Sequence, residues 1–484
     1  MQDNREYLQR IDAWIDETFD RQVGDLQALV RIPSVSRGTP EPGMPLGRGV
    51  HDALTATLAL ANRLGFPDTR SLDGLCGTVD YGTGDEQLCI MAHLDVVPAG
   101  AGWEGDPFSG EVRDGRIWGR GTQDDKGAAV SALYALAAVK AAGVPMRRRV
   151  RVLLGCDEEA GWRCIDRYQQ TEREPDLAFT PDADYPLVNS EMGICHAVYS
   201  KPLAGCGLSL DCGSASNVVP GEAAATLPCA AVPCAAPEGM EASFDGPSIR
   251  IRGFGGHAAS PQLAKNALQG LLAVLAQQPL DAEALPLVTG LHALLGFDLH
   301  GEGFGLDVTD ASGRLTLAPT MLRVDGDGAR LTLDCRFPFS VSQERLLGAL
   351  DAAFAALGFA RTDAQIKPGH FIDPDSELVG TLLSVYERHI GHRAAPLSIG
   401  GGTYARAFQN AVAFGVIPEG DPGCCHMPNE SVPLAQLRFN TAVMAEAILL
   451  LAGGAVTAAT PEKYPQKHGK IACTGRKLVL YSES

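Results

Sequence analysis

The sequence lacks a surplus of positive charge, an apolar leader and the paired cysteine spacing of zinc fingers. Lys and Arg total 40 against 58 Asp and Glu, a formal net charge of −18, which disfavours nucleic acid and anionic membranes as partners. The first residues, Met1–Glu6, are polar and no apolar segment follows them, so no secretory signal is expected. We therefore expect a cytoplasmic protein whose 13 scattered cysteines are reduced and mostly buried.

Uninterrupted long apolar runs and nucleotide-binding motifs are also missing. Lys140 and Glu446 interrupt the two most apolar stretches, 127–144 and 442–456, so both are interpreted as core helices rather than membrane spans. The Gly400-Gly401-Gly402 loop lacks the Gly-Lys-Ser/Thr ending of a phosphate loop. No dinucleotide fingerprint follows a predicted strand, which removes support for an oxidoreductase.

The 484 residues are enough for two domains. Buried strands at 88–92 and 149–154 flank an Ala-rich helix at 127–140, a strand-helix-strand order that predicts an α/β domain with a mostly parallel sheet. Short β-like runs and two helix-like stretches then predict an inserted α+β domain. The predicted division is given by four segments: the first part of the α/β domain (1–187), the insert (188–366), the second part of the α/β domain (367–456) and a polar tail (457–484).

Five short motifs place carboxylates or imidazoles after predicted strands or in turns, and active sites gather at the carboxyl ends of strands in open α/β sheets. Each motif also has an ordinary structural interpretation, such as a hydrogen-bonded buried histidine, a helix N-cap or a solvated acidic turn. Together they supply two histidines and several carboxylates, a set that suits zinc, manganese or cobalt. The motifs are His93-x-Asp95, Gly119-Arg120-Gly121-x-x-Asp124-Asp125-Lys126-Gly127, Asp157-Glu158-Glu159, Pro181-Asp182 and His426 with Asn429-Glu430.

The order of these motifs resembles the aminoacylase/carboxypeptidase/carnosinase clan of di-zinc exopeptidases. The resemblance covers roughly residues 7 to 452. The Asp124–Gly127 and Thr180–Pro186 segments, with the large insert, are most similar to bacterial PepV-type dipeptidases. The resemblance implies a three-layer, zinc-exopeptidase-like catalytic domain and an inserted α+β lid domain.

The resemblance implies a ligand set for two divalent cations, with zinc expected and manganese or cobalt as alternatives. One cation would be held by His93, Asp124 and Asp182. The other would be held by Asp124, Glu159 and His426, so that Asp124 bridges the pair. Cations about 3.5 Å apart would share a water and lower its pKa toward neutrality.

The resemblance also implies the catalytic groups around this water. Glu158 would be the general base that passes the proton to the leaving amine, and Asp95 would orient His93. Adjacency leaves open which of Glu158 and Glu159 is the base and which is the ligand; the family pattern favours Glu158 as the base.

The resemblance also implies roles for further residues in the lid and in substrate binding. His257, in Gly253-Phe254-Gly255-Gly256-His257, would donate a hydrogen bond to the developing oxyanion, which can be worth ~3 kcal/mol; its alternative is a turn histidine. Arg336 would bind the substrate carboxylate. Asn217, Gly401, Tyr404 and Arg406 are the other substrate-binding candidates. Lys265 stands where many relatives have glycine, a departure that affects the local loop shape.

The resulting expectation is a dipeptidase that hydrolyses dipeptides with a free C-terminal carboxylate through a metal-bridging hydroxide. The alternative is a deacylase of N-acyl amino acids with the same mechanism. The large insert predicts a monomer, since it could supply the lid histidine within one chain. A catalytically inactive binding protein is disfavoured because Glu158 accompanies every ligand.

Overall fold

The computed structural model describes residues 4–454, 471–474 and 477–480. The described α-helices are α1 (Asn4–Val30), α2 (Arg48–Arg63), α3 (Lys126–Ala141), α4 (Arg163–Thr171), α5 (Ala267–Leu275), α6 (Ala284–Leu295), α7 (Gln343–Ala356), α8 (Glu377–Ile390) and α9 (Leu434–Ala452).

The strands of the first half of the chain are β1 (Thr69–Leu72), β2 (Cys76–Tyr81), β3 (Gln87–His93), β4 (Glu111–Arg113), β5 (Arg116–Trp118), β6 (Arg149–Gly155), β7 (Leu177–Thr180), β8 (Ala183–Asp184), β9 (Val188–Glu191), β10 (Gly193–Pro202), β11 (Ser209–Cys212), β12 (Val218–Val219) and β13 (Glu222–Thr226). Those that follow are β14 (Glu241–Asp245), β15 (Ser248–Arg252), β16 (Gly256–His257), β17 (Thr309–Asp310), β18 (Gly313–Arg314), β19 (Thr316–Val324), β20 (Gly328–Phe337), β21 (Ala360–Lys367), β22 (His370–Phe371), β23 (Leu397–Ile399), β24 (Ala411–Ala413), β25 (Val416–Ile417), β26 (Ser431–Pro433), β27 (Ile471–Thr474) and β28 (Lys477–Leu480).

The described chain divides into two compact units. Unit 1 comprises residues up to Asn189, Ile372–Leu397 and the chain from Thr403, and unit 2 comprises Ser190–Phe371 and Ser398–Gly402. The predicted polar tail lies mostly outside the described residues; its two described segments, β27 and β28, pair with each other in antiparallel fashion.

Unit 1 is built on a mixed sheet in the order β1-β2-β6-β3-β7-β24. Strands β6, β3, β7 and β24 run parallel to one another, whereas β1 and β2 add an antiparallel edge. Every residue of β3 is buried, as expected of a parallel strand covered on both faces. The predicted α/β class with a mostly parallel sheet is confirmed.

Helix α3 shows why this sheet is covered so tightly. Its sequence is rich in alanine, the best helix former, and its small side chains allow close packing against α1, α9 and β3. All its residues from Lys126 to Val139 are buried. In the described residues, α9 is the one helix long and apolar enough to cross a membrane, and 72% of its apolar window is buried inside the protein, as the core-helix interpretation expects.

Unit 2 contains an antiparallel sheet in the order β14-β15-β13-β11-β19-β20-β10-β21. Alternation in β15, where Ile249 and Ile251 are buried between exposed neighbours, produces one apolar face. Helices α5, α6 and α7 contribute to the same apolar core. The predicted α+β character of the insert is therefore confirmed.

All twelve cysteines whose side chains the structure describes are free thiols, and eight of them are buried. This agrees with the expected reduced, mostly buried state.

Candidate metal centre

The candidate centre lies in unit 1, at the carboxyl ends of three adjacent parallel strands. His93 is the last residue of β3, the Asp157–Glu159 segment follows β6, and Asp182 follows β7. Because β6, β3 and β7 are parallel neighbours, these segments meet at one edge of the sheet.

Asp124 lies between two imidazoles. Its Oδ1 is 3.0 Å from Nε2 of His93, and its Oδ2 is 3.0 Å from Nε2 of His426. Each carboxylate oxygen therefore faces a different histidine, which is the geometry of a bridging group.

Each histidine also has a second carboxylate beside it. Asp182 Oδ2 lies 3.6 Å from Nε2 of His93, and Glu159 Oε1 lies 3.0 Å from Nε2 of His426. Ligand atoms of His93, Asp124 and Glu159 all lie within 4.8 Å of one another. The structure thus brings all five predicted ligands together as two three-residue groups that share Asp124.

The electrostatics of this cluster fit a pair of divalent cations. Burial, followed by the charge of Asp124, raises the pKa of Asp182 to about 7. Hydrogen bonds with Asp124 and Glu159 raise the pKa of His426 to about 10. The carboxylates repel one another and the imidazoles are drawn toward the protonated form, so cations would relieve both strains. Nitrogen and oxygen donors of this kind suit zinc, manganese or cobalt.

Glu158 adjoins the same cluster. It is half-buried, and its pKa is raised well above the ordinary value, chiefly by burial and then by nearby Asp182 and Glu159, while His93 opposes the shift. A carboxyl group in such surroundings can accept and return a proton, as a general base must.

Asp95 supports the centre in two ways. Its main-chain carbonyl lies 2.8 Å from Nδ1 of His93, which directs Nε2 toward Asp124. Its carboxylate accepts hydrogen bonds of 3.1 Å from the main-chain amides of Glu158 and Glu159. The buried Asp95 side chain therefore fixes the loop that carries the candidate base.

Glu430 is a supporting residue to which sequence reasoning assigned no role, although it stood in the His426 motif. It is fully buried and accepts hydrogen bonds from the amides of Gly121, Gln123 and Asp124. Its other oxygen is 2.6 Å from Nη1 of Arg120. One carboxylate thus holds the segment that carries Asp124 in place. The only signal of this role in the sequence was the position of Glu430 shortly after His426.

Gln123 is a second residue that sequence reasoning missed. Its Oε1 accepts hydrogen bonds from the main-chain amide of Cys424, at 2.6 Å, and from the Cys424 thiol, at 3.2 Å. It therefore ties the loop of His426 to the segment of Asp124. His426 has a φ of 64°, a region that non-glycine residues rarely occupy.

Tyr404 and Arg406, two substrate-binding candidates, lie in a short 3₁₀ helix, Tyr404–Ala407. Tyr404 is fully buried; its ring stands edge-on to that of His93, with centroids 6.3 Å apart, and its hydroxyl lies 3.0 Å from Cys164 Sγ. The structure places this side chain behind a candidate ligand rather than at the protein surface. Arg406 is half-buried.

The lid candidates His257 and Asn217 are neighbours in unit 2. Residues Val218 and His257 pair across β12 and β16, and the Asn217 carbonyl accepts a hydrogen bond from the amide of Ala258 at 2.9 Å. The amide of Ala259 donates to Nδ1 of His257 at 3.1 Å, which leaves the proton on Nε2. Burial, and then the charge of Arg336, lowers the pKa of His257.

Arg336, also in unit 2, is held by a group that the sequence did not predict. Its Nε and Nη2 donate to the two oxygens of Asp334 at 2.8 and 2.9 Å, and its Nη1 donates to the Gly400 carbonyl at 2.9 Å. His196 Nε2 shares Asp334 at 2.9 Å. Asp334 and Arg336 are two positions apart, so both side chains lie on one face of a strand. This spacing was the signal in the sequence that could have predicted their ion pair. Gly401 lies in Ser398–Gly402, next to that carbonyl.

Comparison with known proteins gives concordant matches. The profile of Peptidase family M20/M25/M40 matches residues 89–450. The chain is 36% identical to YtjP of Bacillus subtilis over 453 residues, which cover 89% of this chain and 97% of that protein. It is 34% identical to the Beta-Ala-Xaa dipeptidase of Lactobacillus delbrueckii subsp. lactis, with coverage of 89% and 95%.

Among solved structures, the fold is similar to that of the di-peptidase Dug1p from Saccharomyces cerevisiae. The TM-score is 0.57 at 16% identity, with 92% of this chain and 98% of that chain covered. At this identity the likeness concerns the fold alone, and it agrees with the α/β unit and separate antiparallel sheet described above.

Proposed function

The chain belongs to peptidase family M20/M25/M40, and from this premise we propose that it is a metal-dependent dipeptidase acting on dipeptides with a free C-terminal carboxylate. The observation that carries the proposal is Asp124, whose two oxygens each lie 3.0 Å from a different histidine. That arrangement, with Asp182 and Glu159 beside the histidines, suits a dinuclear site of the metallopeptidase type.

In the proposed reaction, a pair of divalent cations, expected to be zinc, would polarise the scissile carbonyl and lower the pKa of the attacking water. Glu158 takes the proton of that water and passes it to the amine nitrogen as the amide bond breaks. Asp95 holds the Glu158 amide by a hydrogen bond of 3.1 Å, so the base is presented on a fixed loop.

Unit 2 contributes recognition in the same proposal. The Nε2–H of His257, fixed by the hydrogen bond at Nδ1, donates to the developing oxyanion, and Asn217 stands beside it as a second candidate donor. Arg336 binds the substrate carboxylate; three of its five N–H groups are engaged by Asp334 and Gly400, which leaves two for a carboxylate. Gly401 and Arg406 complete the proposed substrate-binding set. Tyr404 is left out of it, because its side chain is fully buried behind His93.

A substrate panel tests the proposal. Purified protein loaded in turn with Zn²⁺, Mn²⁺ and Co²⁺ is assayed with dipeptides, β-alanyl dipeptides as the name of the Lactobacillus relative suggests, C-terminally amidated dipeptides and N-acyl amino acids. We expect the free dipeptides to be cleaved at least about tenfold faster than their amides, since a charge-assisted hydrogen-bond pair is lost in the amide. Faster cleavage of N-acyl amino acids would instead favour the deacylase.

A variant makes the carboxylate argument specific. Arg336→Lys should raise KM for free dipeptides and leave KM for amidated dipeptides nearly unchanged. Arg323→Gln, which removes an exposed guanidinium of unit 2 paired with Asp211, serves as the matched control. An equal effect of Arg336→Lys on both substrate forms would remove Arg336 from carboxylate recognition.

We also propose that the chain works as a monomer in the cytoplasm. The large insert supports the monomer, because it carries His257 within the same chain. Light scattering should give a mass near 51.0 kDa; a dimer whose activity depends on two complementing chains would contradict it.

A further inference from the structure

A polar cavity lies in unit 1, away from the residues of the candidate metal centre. Its volume is about 200 Å³. Four arginines and three carboxylates line it, a formal surplus of one positive charge in a chain whose net charge is −18. The lining residues are Asp68, Arg70, Asp80, Gln87, Arg149, Arg151, Glu172 and Arg173.

The cavity lies at the opposite end of the strands that carry the metal centre. Gln87 and Arg149 are the first residues of β3 and β6 and pair in register, as do His93 and Gly155 at the far ends. Six residue steps of ~3.3 Å separate Gln87 from His93 along β3, or about 20 Å. A ligand in this cavity would therefore be separate from substrate at the metal centre.

Two of the carboxylates in this cavity are already saturated by arginine. Glu172 receives Arg70 through two hydrogen bonds of 2.9 Å, and Arg151 at 2.6 Å. Asp80 receives a two-fold interaction from Arg151, with both distances 2.7 Å. These acids have little capacity left for another cation, and the third carboxylate, Asp68, is exposed at the rim.

Two donors in the cavity wall lack partners among the described residues. Neither Nε of Arg149 nor Nε2 of Gln87 has a hydrogen-bond partner, although both atoms are buried. Gln87 is only 1% exposed, so water reaches its amide poorly. Arg173, by contrast, has Asp176 at 2.6 Å. A buried donor without an acceptor is costly, and two such donors beside one cavity indicate a missing acceptor.

We propose that this cavity binds a small oxyanion of the phosphate or sulfate class, with Arg149 and Gln87 as its principal donors. A guanidinium presents N–H groups in a planar arrangement that matches tetrahedral oxyanions, and the amide of Gln87 adds a neutral donor. The saturated carboxylates favour an anion over a metal ion here. The volume of about 200 Å³ admits either a free anion or the head of a phosphomonoester.

Calorimetric titration of the metal-loaded protein with inorganic phosphate, and then with sulfate, tests this proposal. We expect one binding event that Arg149→Gln weakens at least about tenfold, because a charge-assisted hydrogen bond is lost. Gln87→Glu should weaken it similarly, since the new carboxylate replaces a donor and repels an anion. Arg63→Gln, at an exposed pair with Asp25, is the matched control and should leave the affinity unchanged.

Phosphate can also bind metal ions, so the titration is repeated on chelator-treated protein, where the cavity event should persist. Melting temperatures measured without phosphate show whether each variant is folded. If one of the two cavity variants, Arg149→Gln or Gln87→Glu, does not fold, the other alone tests the proposal. A phosphomonoester as third titrant distinguishes free from esterified phosphate. The proposal is overturned if folded variants bind phosphate as tightly as the parent protein, or if all binding disappears with the metal.

Discussion

The main-chain carbonyl of Asp95 lies 2.8 Å from Nδ1 of His93, whereas the nearer carboxylate oxygen of Asp95 is 3.6 Å away from the same nitrogen. The orientation of His93 therefore depends on the backbone at residue 95. The side chain instead binds the amides of Glu158 and Glu159. This separation of tasks means that side-chain substitutions at residue 95 act on the loop of the base more than on the imidazole.

We expect Asp95→Asn to lower kcat by roughly 10- to 100-fold, the usual range for a residue that supports ligands, because an amide offers only one acceptor oxygen to two N–H groups. Bound metal, measured by mass spectrometry, should stay close to the parent level, since the carbonyl contact to His93 is kept. Asp114→Asn, in an exposed turn, is the control. Loss of metal with unchanged kcat per bound metal would contradict this assignment.

Replacing the candidate base should separate chemistry from metal binding. Glu158→Gln keeps the shape of the side chain but removes its proton-accepting oxygen, so we expect kcat to fall about 10²- to 10⁴-fold while metal content is retained. Glu159→Gln should instead reduce metal content, because Glu159 lies 3.0 Å from His426. The reverse pattern would exchange the roles of the two neighbours.

The fold and the ligand cluster could be predicted because their signals are local. An Ala-rich stretch predicts α3. Carboxylates that follow buried strands are predicted to cluster at one edge of the sheet if those strands, here β6, β3 and β7, are parallel. The apolar spacing from Tyr7 to Val30 fits either one amphipathic helix or a helix pair, and the structure has one helix, Asn4–Val30. Nothing local in that stretch distinguishes a break from a continuous amphipathic helix.

The supporting contacts could not be predicted in the same way. Glu430 binds amides about 300 positions away in sequence, and Gln123 reaches Cys424 over 301 positions. A single sequence carries no register between such distant loops. The task of Asp95 depends on whether carbonyl or carboxylate turns toward His93, and spacing alone cannot decide that.

Glu430 should matter for both stability and metal retention. In Glu430→Gln, one oxygen can still accept from the amides, but the new NH₂ group faces buried Arg120, which is 1% exposed. Breaking a buried ion pair of this kind should lower the free energy of unfolding by roughly 3 kcal/mol, measured by urea denaturation. Metal content should fall too, because the amides around Asp124 would then bind a neutral oxygen, which is a weaker acceptor than a carboxylate. Glu104→Gln, with a side chain 72% exposed, should change neither quantity.

Metal affinity should depend on pH through the acids and imidazoles of the centre. Asp182, whose pKa burial raises to about 7, must lose its proton to act as a ligand, so protons compete with metal more strongly below pH 7. His426, with a pKa of about 10, must release a proton when metal binds at any pH between 6 and 8. Chelator competition between pH 6 and 8 should therefore show affinity falling with acid, and more steeply below pH 7.

The Asp182→Asn variant tests the source of this steepening. It should bind metal more weakly at pH 8 and lose the additional slope below pH 7, while Asp114→Asn should follow the parent curve. A parent curve that is flat from pH 6 to 8 would show that these groups do not release protons when metal binds.

Glu446, on α9, provides a stability test that is independent of the metal centre. It is 6% exposed, and its oxygens lie 2.8 Å from Nε of Arg388 and 2.8 Å from Nε2 of His389. Burial alone would raise the pKa of Glu446, but the hydrogen bond and charge of His389, with the charge of Arg388, outweigh it and lower the pKa below its usual value. The ionised form is therefore the one that the fold prefers.

A lowered folded pKa means that the stabilisation is present above the unfolded pKa of about 4.3 and is lost as pH falls through the folded value. Glu446→Gln should cost about 2 kcal/mol at pH 7, less than for a fully buried pair because both partners are partly exposed. The difference from the parent, measured by urea unfolding, should shrink below pH 4. The control is Glu6→Gln, at an exposed pair with Arg10, which should cost under about 0.5 kcal/mol both at pH 7 and below pH 4. If the loss of stability in Glu446→Gln stayed constant down to pH 3, Glu446 would contribute through packing rather than charge.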